Sequence, residues 1–268
     1  MSYFFIVSVF VLGTIIGSFL NVVILRYGKK TLRGRSFCPS CKKILTPCDL
    51  IPLFSFLFLR GRCRYCRVPI SFQYFIVEVL SGLLFVLIFL RFSFPEDIVY
   101  IVLSLVIWSV LLVITVYDFY HKIIPDGLVS LFILFSFLTI FLRVPILHFL
   151  TFPYVLDVFA GLILFLPFFL LWLVSNGRWI GLGDGKLAIG IGFLLGLKQG
   201  VSAIIFGFWI GAVVSLTLIV VERLLEKRAL LFSSKTLTMK SEIPFAPFLI
   251  LGTAIAFFLR LSLFSFTL

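Results

Sequence analysis

The chain has 268 residues, of which 62% are hydrophobic and only 13% are charged, with a mean hydropathy of +1.25. Soluble globular domains carry about 25% charged residues, so this composition excludes an ordinary soluble protein. The net charge of +12 would suit a nucleic-acid partner, but the basic residues are concentrated between apolar runs. That placement favours an orientation signal and contact with anionic lipid headgroups over nucleic-acid binding.

Apolar runs long enough to cross a bilayer recur along the chain. A spanning helix needs about 20 apolar residues, because the backbone polar groups must be satisfied internally. We therefore expect an all-α polytopic membrane protein with about eight transmembrane helices. Their predicted ranges are 3–25, 72–91, 98–117, 127–143, 155–175, 186–198, 201–221 and 245–266.

The basic residues indicate which span ends face the cytoplasm. Residues 26–67 hold eleven basic residues against one acid, Asp49, and alternate later connections, including 222–244, hold most of the remainder. Cytoplasmic loops carry an excess of Lys and Arg. The pattern therefore predicts that the N-terminus and the C-terminus both lie outside.

A polar segment at 27–71, between the first two spans, contains two C-x2-C knuckles. They supply four cysteines: Cys38, Cys41, Cys63 and Cys66. Two such knuckles are typical of a four-thiolate zinc site, and a metal would stabilise a segment too small for a core of its own. A redox dithiol pair, an iron site and disulfides are the alternatives, although a cytoplasmic loop is reducing. Cys48 lies outside both knuckles.

Two polar side chains lie within the first two spans. Asn21 follows the small residues Gly17 and Ser18, and it suits an interhelical hydrogen bond as well as a functional role. Glu78 is a candidate functional residue, because an ionisable group in contact with lipid is costly. The alternatives for Glu78 are snorkelling to the headgroups and pairing with Arg67.

Two aspartates are prominent because few acids lie near the apolar runs. Asp118 ends the third span, and Asp184 ends the motif Gly181-Leu182-Gly183-Asp184 at the start of the sixth. Both fall at predicted cytoplasmic span ends, so we expect the fold to bring them together. Two like charges in a low-dielectric site cannot both ionise cheaply. Such a pair shares a proton and can act as general acid and general base in hydrolysis.

The surroundings of these aspartates supply further candidates. Asp126 lies eight residues after Asp118 and is expected either to support it or, as we favour, to cap the next helix. Gly181 and Gly183 are expected to allow close helix packing rather than to bind phosphate, since no strand precedes them. Pro125 predicts a helix break near Ile124.

Motifs along almost the whole chain occur in one specific order. They are Gly17–Arg26, the two knuckles with Asp49–Pro52 and Leu59–Arg64, Asp118 with Ile124-Pro125-Asp126, Gly181–Asp184, and Pro244–Phe248. Together these motifs resemble those of the prepilin peptidases, or type IV leader peptidases. Phe75 is one departure, since it stands where a proline is expected in that family.

The resemblance implies an aspartic endopeptidase with Asp118 and Asp184 as its catalytic pair. Its substrates would be prepilins or pseudopilins, cleaved at the cytoplasmic face of the bacterial inner membrane. Members with the cysteine insert commonly also methylate the new N-terminus with S-adenosylmethionine. The expected domains are 1–26, the first span; 27–71, a zinc-binding and methyltransferase-associated insert; and 72–268, the peptidase core.

Two other functions are open from the residues. One is a non-enzymatic carrier in which Asp118, Asp126 and Asp184 form a cation or proton site. The other is a glycine-aspartate intramembrane protease with a different substrate. Neither gives the cysteine insert a purpose, so the leader peptidase is favoured. A Ser-His-Asp set is not expected, because His121 and His148 are predicted on opposite sides of the membrane.

Overall fold

The computed structural model describes residues 3–28, 34–144, 149, 151–152, 154–226 and 244–263. Within these residues the chain is almost entirely helical, and β-type pairing is limited to two isolated bridges, Phe37 with Ile44 and Arg62 with Pro69. The predicted all-α class is confirmed. His148 and the greater part of the predicted basic connection at 222–244 lie outside the described residues.

The helices in the described part of the chain follow one another with short connections. They are α1 (Tyr3–Arg26), α2 (Phe54–Phe58), α3 (Gln73–Arg91), α4 (Ile98–His121), α5 (Asp126–Arg143), α6 (Tyr154–Val158), α7 (Ala160–Ser175), α8 (Leu182–Glu226) and α9 (Ala246–Leu259). Among them α1, α3, α4, α5 and residues Leu182–Val221 of α8 are long and apolar enough to cross a membrane, and α7 and α9 are shorter apolar helices. The chain forms two compact units, Met1–Val113 and Ile114–Leu268.

Each predicted span lies largely within helical residues, but several ends and divisions differ. The fifth predicted span is divided into α6 and α7, and α9 ends at Leu259 rather than at residue 266. Helix α4 ends at His121, earlier than the break predicted near Ile124. The cause is Lys122, whose left-handed φ of 52° stops the helix before the proline acts.

The sixth and seventh predicted spans lie in one continuous run, α8, that is broken at Gly196. The backbone there has φ 76° and ψ 179°, a region that is essentially restricted to glycine. Asp157 Oδ1 accepts a hydrogen bond of 2.9 Å from the N–H of Leu197. A Cβ atom at Gly196 would lie 2.5 Å from the same oxygen. Asp157 therefore satisfies a backbone donor next to the break.

In the first unit, small residues bring α1 and α3 into close contact. A Cβ atom on Gly13 would lie 2.8 Å from the Cα atom of Gly82, and one on Gly17 would lie 2.8 Å from the Cα atom of Glu78. Asn21 Nδ2 donates a hydrogen bond of 3.1 Å to the carbonyl oxygen of Tyr74. Asn21 thus makes the interhelical hydrogen bond that its position predicted.

In the second unit, α8 packs against α5, α7 and α9. Gly190 lies directly against the ring of Phe132 on α5, and a Cβ atom on Gly192 would lie 2.6 Å from the carbonyl carbon of Ala160 on α7. Both positions have no room for a side chain. These two glycines therefore let α8 approach α5 and α7 closely.

Replacing Gly196 by alanine is expected to lower the free energy of unfolding by about 1–3 kcal/mol, because alanine must adopt a glycine-only conformation and meets Asp157. Gly211→Ala is the matched control: a Cβ atom there meets Phe248 at no less than 3.3 Å, so little or no loss is expected. Thermal unfolding of the purified chain in detergent measures both. Equal melting temperatures for the two variants would contradict this account of the break.

Candidate active site and thiolate cluster

The two predicted aspartates lie together within the second unit. Asp118 is near the end of α4, and Asp184 is in the first turn of α8. Two apolar helices, α5 and α7, separate α4 from α8 in the sequence. They carry the chain away from Asp118 and then back to it. Asp118 is 4% exposed and Asp184 is 8% exposed, and their carboxylates interact electrostatically. The structure thus pairs two acids that lie 66 positions apart.

Asp118 is held by the beginning of α9. Its carboxylate accepts a hydrogen bond from the backbone N–H of Ala246, the first residue of that helix. Pro247 has no N–H, and the N–H of Phe248 bonds back to the carbonyl oxygen of Phe245. The N–H of Ala246 is therefore the donor that the first turn of α9 directs to Asp118. Asp118 Oδ2 has no hydrogen-bond partner among the described residues, which leaves an oxygen for a water or a substrate.

Asp184 is held by the turn that precedes it. Its carboxylate accepts a hydrogen bond from the backbone of Gly181, and its own N–H donates to the Gly181 carbonyl oxygen at 3.2 Å. A Cβ atom on Gly181 would meet Asp184 Oδ2 at an ordinary contact distance of 3.5 Å. Gly181 therefore acts through its backbone. The close helix packing predicted for Gly181 is wrong, because a Cβ atom there would meet no neighbouring helix in the described part of the chain within 4 Å.

Gly183 and Gly185 set the approach of α8 to its neighbours. A Cβ atom on Gly183 would lie 3.1 Å from the Cβ atom of Ile124, and one on Gly185 would lie 3.1 Å from the ring of Phe165 on α7. Gly183 therefore brings the segment carrying Asp184 against the connection that follows Asp118. This is the close packing predicted for Gly183.

Asp126 lies beside the pair in sequence but has a different partner. Its Oδ1 accepts a 2.7 Å ion-pair hydrogen bond from Lys186 Nζ, and its side chain is 73% exposed. It is the first residue of α5, whose N-cap is Pro125 without a side-chain cap. The favoured capping interpretation is therefore wrong, because the carboxylate is drawn to the neighbouring ammonium. Such an exposed ion pair contributes about 0–1 kcal/mol.

The four predicted cysteines form one cluster in the first unit. The Sγ atoms of Cys38, Cys41, Cys63 and Cys66 all lie within 4.8 Å of one another. The Sγ atoms of Cys38 and Cys66 are 3.8 Å apart, which is the edge of a tetrahedron with metal–sulfur bonds of about 2.3 Å. All five cysteines are free thiols, and Cys48 is exposed outside the cluster. The cluster has the geometry of a metal site consistent with zinc, and the disulfide alternative is wrong.

The two knuckles repeat the same backbone geometry. Cys38 N–H donates to Lys43 O at 3.0 Å, and Cys63 N–H donates to Val68 O at 2.9 Å. The residue after each second cysteine, Lys42 or Arg67, has a positive φ. This turn directs both sulfurs of a knuckle to one point.

Backbone and neighbouring groups tune the thiols differently. Backbone N–H groups, of Cys41 above all, lower the pKa of the Cys38 thiol to about 6. At Cys66, a backbone hydrogen bond from Val68 lowers the pKa, but burial and the other thiols outweigh it and raise the pKa to about 11. The neighbouring thiols therefore favour the ionised form of Cys38 and oppose that of Cys66. A bound cation would stabilise both thiolates.

Glu78 lies on α3 and faces the insert. It is 7% exposed, its Oε2 accepts a 2.8 Å hydrogen bond from the N–H of Leu53, and it also bonds Ser18. Among the described residues Glu78 forms no ion pair, and Arg67 is not its partner. The snorkelling and Arg67 alternatives are therefore wrong, because Glu78 is buried and bonded to a backbone donor.

A buried aspartate pair beside long apolar helices suits a membrane-embedded aspartic peptidase. Comparison with known proteins agrees. The profile described as "Type IV leader peptidase family" matches residues 105–216, and that described as "Bacterial Peptidase A24 N-terminal domain" matches residues 11–92. The chain belongs to the type IV leader peptidase family.

Similar proteins carry the printed name "Prepilin leader peptidase/N-methyltransferase". One from Bacillus subtilis is 31% identical over 96% of this chain and 95% of its own length. One from Klebsiella pneumoniae is 35% identical over 70% of this chain and 83% of its length, and one from Myxococcus xanthus is 34% identical over 80% and 63%. The comparison with solved structures gives no match.

The thiolate geometry predicts about one metal ion per chain. Cys41→Ser is expected to remove the metal and to lower the melting temperature of the purified chain, because metal binding and folding of a small insert are coupled. Cys48→Ser is the matched control and is expected to retain both. Elemental analysis with thermal unfolding measures the two variants, and full metal content in Cys41→Ser would refute the site.

Proposed function

We propose that this chain is a prepilin leader peptidase in which Asp118 and Asp184 are the catalytic pair, and that it also N-methylates the new N-terminus. One observation supports the catalytic assignment above the others: the two carboxylates are buried and interact electrostatically. Burying carboxylates without a cation costs free energy. Such groups are found preferentially at functional sites, which favours a catalytic role for this pair. Family membership supplies the reaction class.

In the proposed hydrolysis the pair shares one proton, since two adjacent buried carboxylates do not both ionise. The ionised aspartate takes a proton from water while the oxygen of that water forms a bond to the scissile carbonyl carbon. The protonated aspartate donates to the carbonyl oxygen. The C–N bond then breaks, and the amine leaves with a proton from the pair. The Gly181 and Ala246 backbone donors hold the two carboxylates in place during these transfers.

The proposed substrates are prepilins or pseudopilins, cleaved after a glycine that precedes an apolar helix. Their basic leader would lie at the cytoplasmic surface, and the helix would enter laterally between spans. The chain's own basic loops would contact anionic lipid headgroups there. This arrangement requires the N-terminus outside, in a multi-pass protein of the bacterial inner membrane.

We assign zinc to the cluster of Cys38, Cys41, Cys63 and Cys66. The donor set is four thiolates with tetrahedral spacing, the usual composition of a closed structural zinc site. Such a site stabilises the insert at 27–71 and leaves no open position for catalysis. The first span at 1–26 and the peptidase core at 72–268 complete the proposed domain division.

N-methylation needs a methyl donor, for which the family resemblance implies S-adenosylmethionine. When bound, that molecule supplies a methyl group on a positively charged sulfur, which an amine nitrogen can attack. The new N-terminus of the cleaved pilin would be the accepting amine.

Asp118→Asn and Asp184→Asn are each expected to reduce leader cleavage by about 100-fold or more, because the amide cannot exchange the proton that the mechanism requires. Asp126→Asn receives the same chemical change at an exposed aspartate and is expected to cleave within about threefold of wild type, since its ion pair is weak. The assay is conversion of a prepilin in membranes, followed by mass, at matched expression. Normal cleavage by either of the first two variants would rule out the dyad.

The proposed orientation predicts that a cysteine introduced at Tyr3 reacts with a membrane-impermeant maleimide in intact spheroplasts. The native cysteines of the insert are expected to react only after the membrane is permeabilised, because they would face the cytoplasm. Labelling of Cys48 before permeabilisation, with no labelling at position 3, would contradict the proposed orientation.

A further inference from the structure

A cavity of about 770 Å³ lies within the first unit, between α1, α3 and the insert. Its volume falls in the range of about 300–1,000 Å³ that is typical of small-molecule sites. The cavity is bounded by α1 on one side, by Tyr74 and Glu78 of α3 on another, and by the two knuckles through Cys38 and Cys63. The peptidase pair lies in the other unit and contributes nothing to it.

One part of the cavity lining is rich in buried hydrogen-bond acceptors. Glu78 is 7% exposed and Asn21 is 2% exposed. The Glu78 carboxylate accepts hydrogen bonds from Leu53 and Ser18 but has no cationic partner among the described residues, and Asn21 Oδ1 has no donor there. Together they favour a ligand that is positively charged and donates hydrogen bonds.

The rest of the lining is largely apolar and includes aromatic rings and three arginines, Arg26, Arg35 and Arg64. Phe56 stands at the cavity with its ring 5.4 Å from that of Phe75 and 5.9 Å from that of Phe72, which fixes its plane. A fixed aromatic face suits a planar heterocycle and a neighbouring cation. Arg35 also lines the cavity and supplies a partner for a carboxylate.

We propose that this cavity binds S-adenosylmethionine, with Glu78 and Asn21 holding its positively charged methionyl part. The ligand combines the features that the lining selects: a cation that donates hydrogen bonds, a planar purine and a carboxylate. This inference rests on the proposed N-methyltransferase function. It gives the buried acid on α3 and the insert a shared role separate from leader cleavage.

The test is equilibrium dialysis of the full chain, purified in detergent, against S-adenosylmethionine labelled on its methyl group. Glu78→Gln is expected to weaken binding by about tenfold or more, because a buried charge pair loses one partner. Ser55→Trp places a large side chain at the lining of the cavity and is expected to abolish binding. Metal content and melting temperature establish that each variant is folded.

Each variant has a matched control outside the lining. Glu96→Gln makes the same change at an exposed acid, and Leu57→Trp makes the same insertion at a 61% exposed position on the same short helix as Ser55. Both controls are expected to bind the donor within about twofold of wild type, since neither touches the cavity.

The outcomes separate this inference from the proposed function. If wild type binds the donor and both folded cavity variants bind it equally well, the cavity is not the site, and the proposed function stands. If wild type cleaves prepilin but binds no donor, the inference and the methyltransferase part of the function both fail, and the peptidase part remains. Selective loss in the two cavity variants supports the site.

Discussion

The repulsion between two buried carboxylates is the constraint on which the second unit depends. Asp118 and Asp184 are almost excluded from solvent and act on each other electrostatically, an arrangement that costs free energy before any substrate binds. The backbone offsets part of that cost. Gly181, at the start of α8, and Ala246, at the start of α9, each donate a hydrogen bond to one carboxylate. Two helix N-termini, with their partial positive charge, therefore converge on the pair.

Close packing of α8 keeps those N-termini in place. Gly183 contacts the side chain of Ile124, and Gly192 lies against Ala160 without room for a side chain. Gly196 has the opposite effect, because its glycine-only conformation interrupts the helix, and Asp157 satisfies the N–H of Leu197 next to it. Glycines near Asp184 thus allow α8 to pack closely against its neighbours, whereas Gly196 breaks the helix farther along the chain.

The sequence predicted the helices and the aspartate pair because both leave local signals: a long apolar run, and an acid where apolar residues are expected. It missed the Ala246 donor, since a backbone N–H has no side-chain signature, and Pro247 gave only an indirect hint. It assigned Asp126 wrongly, because the position of Lys186 beside it depends on how α5 and α8 pack. Helix ends at Lys122 and Leu259 likewise depend on single backbone angles and on tertiary contacts.

The cavity in the first unit could not be predicted, because it is a space between segments that are distant in sequence. Its proposed function gives the thiolate cluster a second consequence. Cys38 and Cys63 come from different knuckles, and both border the cavity. A metal joining their sulfurs would fix the distance between two of its walls, which the small insert has too little apolar core to do. The metal would then act on the methyl donor site by positioning, with no contact to the reacting atoms, while Glu78 would supply the recognition of charge.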